Sequence, residues 1–133
     1  MTIQDLKNIE EKFGIKLPEE YKNFTLNYPE QLFPNQDFEF INDSESLIEI
    51  NSLVYKDLWG KPLSKDYFTI GENGCGDYFI LSILDSKVYS FVHDNQTFYI
   101  TANSLKEYQS KILNESYEND WGNKDFQVND LRN

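Results

Sequence analysis

Between Tyr67 and Ile100 the chain alternates apolar runs of strand length with short turn-forming clusters, and no other feature constrains the fold as much. Tyr67-Phe68-Thr69-Ile70 ends at Gly71-Glu72-Asn73-Gly74-Cys75-Gly76-Asp77. Tyr78 to Leu84 and Lys87 to Val92 are parted by Asp85-Ser86, which reads as a tight hairpin. His93-Asp94-Asn95-Gln96 marks a further turn before Thr97-Phe98-Tyr99-Ile100. Tyr78 to Leu84 lacks polar alternation, which predicts a central strand covered on both faces.

Helical periodicity flanks this block. Ile3, Leu6, Ile9 and Phe13 recur at three- and four-residue steps, with Thr2 and Asp5 placed as a capping box and Gly14 at the helix stop. Pro18 suits the first position of a second helix that carries Tyr21, Phe24 and Tyr28 on one face and stops at Pro29. Phe38 to Ile41 and Leu47 to Ile50 read as extended pieces, and Ser52 to Trp59 as a short helix. Ser104 and Glu107 open a closing helix with Leu105, Tyr108 and Ile112 on one face. Residues 114–133 are rich in Asn, Asp and Glu, and read as an acidic extension that is loosely packed or partner-binding.

At 133 residues the chain fits a single domain. Its 23 acidic against 12 basic residues give a formal net charge of -11, which repels a phosphate backbone and favours a basic protein partner. One cysteine and one histidine exclude an internal disulfide and a Cys/His zinc cage, and no cofactor is expected. No apolar run approaches the ~20 residues of a membrane span. Met1 to Asp5 lacks the basic and apolar regions of a secretory signal, so a cytoplasmic protein is expected, monomeric or weakly dimeric.

Several arrangements invite a catalytic reading and fall short of one. The Gly71–Asp77 segment lacks dinucleotide spacing and a phosphate-binding Lys, and it reads as a turn whose glycines adopt positive φ. Cys75 with His93 would need an oxyanion hole that nothing in the sequence signals. His93 and Asp94 are adjacent, which makes their direct pairing awkward in an extended segment. The acids near residue 40 do not match an EF-hand loop. The charge distribution carries more. No basic residue lies between Lys22 and Lys56, whereas Glu30, Asp37, Glu39, Asp43, Glu45 and Glu49 do. Such a segment is either a solvated face or a docking surface for a basic partner, with Phe33, Phe38 and Phe40 among its acids as a desolvated centre.

The order of motifs resembles the SUKH superfamily, which includes bacterial immunity proteins and fungal cell-wall regulators. The carriers are Ile9-Glu10-x-x-Phe13-Gly14-Ile15-Lys16-Leu17-Pro18-Glu19-Glu20-Tyr21, then Phe68 to Phe79 with its Gly71, Gly76 and Asp77, then Val88-Tyr89, His93-Asp94 and the helix from Ser104 to Leu113. The likeness spans about residues 3 to 113, so we delimit a domain at 1–113. It implies an α+β domain with a largely antiparallel sheet of five to six strands flanked by N-terminal and C-terminal helices. It further implies a protein without enzymatic activity that binds and neutralises a cognate bacterial toxin, often a nuclease. The alternative is an intracellular scaffold or regulatory interaction module. Gly71, Gly76 and Asp77 would be structural, Asp77 by capping amides of its own loop. The partner-binding candidates are Asp37, Phe38, Glu39, Asp43, Glu45 and Glu49.

Overall fold

A computed structural model describes residues 1–28 and 39–133. Two helices open the chain, α1 (Ile3–Phe13) and α2 (Glu19–Leu26). Thr2 and Asp5 exchange both bonds of a capping box, and Gly14 ends α1 at φ 65°. The Leu-Pro link between the helices is fixed by Glu10, whose Oε2 accepts the Leu17 amide at 2.8 Å and meets Lys22 Nζ at 3.1 Å. Pro18 stands one place earlier than expected, as the N-cap, with extended ψ.

The segment after residue 38 departs from expectation. Glu39 and Phe40 form a bend, and the Leu47–Ile50 run lies inside a third helix, α3 (Ser44–Val54). Asp43 caps that helix by accepting the Ser46 amide, and the buried Leu47, Ile50 and Val54 recur at helical steps. A four-residue apolar run does not distinguish strand from helix, and here the cap and the longer period decide. The short helix expected over Ser52–Trp59 is replaced by the end of α3 and a turn bridged between Leu58 and Lys61.

Five strands form one antiparallel meander in sequence order: β1 (Tyr67–Glu72), β2 (Tyr78–Ser82), β3 (Val88–Val92), β4 (Thr97–Ala102) and β5 (Gln127–Val128). Gly71 is a strand residue opposite Phe79 rather than part of the turn, and Ile70 before it is the extra residue of a bulge. The interior strand β2 is buried on both faces. Helix α4 (Leu105–Leu113) follows β4, capped by Ser104.

The sheet has two unlike cores. One face carries Phe68, Phe79 and Leu81 against Leu6, Ile9, Tyr21, Leu47, Tyr108 and Ile112, so helices cover it. On the other face Ile80, Phe91 and Phe98 pack against Val54 at the end of α3 and against Leu58, Leu63 and Leu131, which lie in connections and the C-terminal segment. Residues 114–133 therefore pack on the domain. Tyr117 and Trp121 lie against Phe79, β5 pairs with β4, and Leu131 is buried.

Candidate functional site

Helix α3 lies beside the free edge of β1 and is fastened to it by side chains. Asn51 accepts the Thr69 amide at 2.8 Å through Oδ1 and donates Nδ2 to the Thr69 carbonyl at 2.9 Å. This buried amide mimics a neighbouring strand and leaves the edge no free groups there to offer another chain. Tyr55 Oη donates to the Tyr67 carbonyl, and the Ile41 amide donates to the Ile70 carbonyl at 2.8 Å.

This edge arrangement opens a groove of about 780 Å³ between α3, the residues after α2 and the turn joining β1 to β2. Its size falls within the usual range of ligand sites. Phe40, Ile41 and Ile50 supply apolar floor, Tyr28 and Tyr78 add aromatic walls, and Leu53 is 56% exposed at the rim. Asp43, Glu49 and Glu72 line the same groove, and among the described residues no lysine or arginine does. Among the described residues no cation forms an ion pair with any of these three acids. Asp43 has a second duty: the hydroxyl and then the amide of Ser46 hold its carboxyl below the usual carboxylate range. Burial and then the Glu72 charge push the Tyr78 phenol up.

The partner-binding candidates from the sequence separate here. Asp43 and Glu49 reach the groove. Glu45 is exposed on the first turn of α3 but is not part of the lining. Glu39 is turned inward: its residue is 8% exposed, Tyr117 Oη donates to Oε1 at 3.4 Å, and Oε2 has no partner. Its backbone carbonyl accepts from Tyr108 Oη. Asp37 and Phe38 lie outside the described residues. Glu72, Leu53 and Tyr78 join the groove without any local signal, because the fold alone brings the first β-turn beside α3.

On the far side of the β1–β2 turn, toward the β3–β4 turn, Asp77 and Asp94 are engaged with His93. Asp77, buried, accepts the His93 amide at 2.8 Å and faces its Nδ1 at 2.6 Å through one oxygen, while its other oxygen accepts from Asn73 at 2.8 Å. His93 Nε2 meets Asp94 at 3.1 Å, so a turn conformation allows the pairing that an extended one would not. The Asp77 hydrogen bond is the largest influence raising the His93 pKa, and the charges of Asp77 and Asp94 add to it. Trp59 stacks on the imidazole at 5.4 Å. A Cβ on Gly76 would lie 3.3 Å from the same ring, and its φ of 98° also favours glycine. Asp77 thus braces the next turn of the sheet, and Asn73 Oδ1 takes the loop amides of Cys75 and Asp77. With both ring nitrogens facing carboxylates, His93 is not placed as a base for Cys75, which is exposed.

A model of the SMI1 / KNR4 family (SUKH-1) matches residues 1–111. The chain belongs to that family. No curated protein and no solved structure matches it significantly. The SUKH-1 family is generally one of non-catalytic immunity or regulatory proteins. Its two motif blocks have physical roles in this member: Glu10, Gly14 and Pro18 set the α1–α2 corner, and Gly76 and Asp77 lock the β1–β2 turn to the β3–β4 turn. Among the described residues there is no group of three or more His, Cys, Asp or Glu side chains placed to hold a metal, and no helix is long and apolar enough to cross a membrane.

Proposed function

We propose that this SUKH-1 member is an immunity protein that binds a basic bacterial toxin domain, such as a nuclease, and blocks its active site without chemistry of its own. The observation that carries the reading is the groove lined by Asp43, Glu49 and Glu72, with which no cation forms an ion pair among the described residues. A nuclease must be cationic where it meets phosphates, and an acidic binder competes for that same surface. The exposed Glu45 belongs to the same proposed docking face, which acts wherever the toxin acts, in the cytoplasm. An interface of roughly 800 Å² per partner suffices to cover a catalytic cleft.

The test is co-expression with the toxin domain encoded beside this gene in a bacterial host. The reading predicts host survival and a co-purifying complex whose nuclease activity is suppressed. Host death at the rate seen without this chain contradicts it.

A further inference from the structure

Resting on the binding reading above, we infer that the groove takes a basic partner segment with an apolar or aromatic side chain at its centre. The central side chain packs on Phe40, Ile50 and Leu53, while flanking Lys or Arg side chains meet Glu49 and Glu72.

Three observations select this occupant. Leu53 is a large apolar side chain left 56% exposed at the edge of a concave floor, which suits an apolar contact rather than a wholly ionic one. The acids of the groove lack cations, whereas Lys22, Lys111 and Arg132 pair with acids elsewhere. The wall is also built in advance, because Asn51 and Tyr55 fix α3 to β1, and a preformed site loses little freedom on binding. A second copy of this chain is disfavoured, since its net charge of -11 opposes an acidic groove.

Titration of the isotope-labelled full chain with short peptides, followed by NMR, tests the inference. The probes are Lys-Lys-Phe-Leu-Arg-Lys, its charge-matched form Lys-Lys-Ala-Ala-Arg-Lys, and the acidic Glu-Glu-Phe-Leu-Glu-Glu. The first should shift the amides of Asn42, Ser46, Glu49, Leu53 and Glu72 and bind at least about fivefold tighter than the alanine form. The acidic peptide should not bind. Affinity should fall about tenfold or more in Glu49→Lys/Glu72→Lys and, separately, in Leu53→Asp, both at exposed or half-buried positions that leave the core intact. Shifts scattered over the surface with equal affinity for both basic peptides would overturn the inference in favour of unspecific charge attraction. A concentration-dependent dimer abolished by Leu53→Asp would overturn it in favour of a second copy. The two levels separate in co-expression: full protection by a folded Leu53→Asp chain removes the groove and keeps the immunity reading. Failure of the unaltered chain to protect removes the immunity reading and leaves the peptide result standing.

Discussion

Asp77 and Glu49 are both carboxylates beside the same sheet, and they live in opposite circumstances. Asp77 is buried and receives an amide, an imidazole and an Asn side chain. Glu49 is exposed, lines a groove with Asp43 and Glu72, and meets no cation among the described residues. The contrast extends to Asp130, which meets Arg132 through both oxygens while that Arg also donates to the Leu58 and Trp59 carbonyls. Asp77 and Asp130 are used up in joining loops. Glu49 and Glu72 contribute little to folding and remain available to a partner, while Asp43 also caps α3. Net charge alone does not make this distinction, and only the partner of each acid does.

The largest way to disturb the comparison is to detach the groove wall itself. Asn51→Leu strands the Thr69 amide and carbonyl at about 1–3 kcal/mol each, so a loss of roughly 2–6 kcal/mol is expected by urea denaturation. The exposed β1 edge should also promote self-association, seen by light scattering. An unchanged midpoint would show that α3 is held by its apolar face alone.

Next comes the committed acid. Asp77→Ala leaves the His93 amide and ring without their shared acceptor and should cost about 2–3 kcal/mol. Glu49→Gln and Glu72→Gln should each stay within about 0.5 kcal/mol of the parent, as surface changes generally do. Equal costs at the three positions would erase the contrast.

Asp43 stands between the two classes, being both groove acid and helix cap. Asp43→Ala should cost about 1 kcal/mol, whereas Asp43→Ser keeps a capping oxygen and should recover most of it while still removing the charge. If both variants weaken partner binding alike but differ in stability, the two duties are separable.

The smallest effect is on pH dependence. The folded pKa of His93 lies above its ordinary value, so its stabilising contribution is complete below about pH 6.5 and fades as pH rises through the raised value. Melting curves of the parent should show this decline, and His93→Gln should flatten it. A parent whose stability rises across that interval would place the charge balance of this cluster elsewhere.

The sequence was readable where local rules decide and opaque where distant residues meet. The capping box at Thr2 and Asp5, the stop at Gly14 and the β2–β3 hairpin follow from spacing within a few residues. Helix α3 was missed because Leu47-Ile48-Glu49-Ile50 alone fits a strand, although Asp43 followed by Ser46 was an available cap signal. The burial of Glu39 had no local sign, since tyrosines 69 and 78 residues away surround it. The groove acids were half legible: Asp43 and Glu49 stand in the acidic segment, but Glu72 joins them only through the path of β1 along α3.

The association rate of the toxin domain with the parent chain and with Glu49→Gln/Glu72→Gln, measured from about 0.05 to about 0.5 M salt, bears most directly on the claim that the groove acids serve the partner and not the fold. The account predicts fast association of the parent that slows steeply with salt. In the double variant, association should be slower and less salt-dependent at an unchanged melting temperature. Identical rates and identical salt slopes in two equally stable proteins would contradict it.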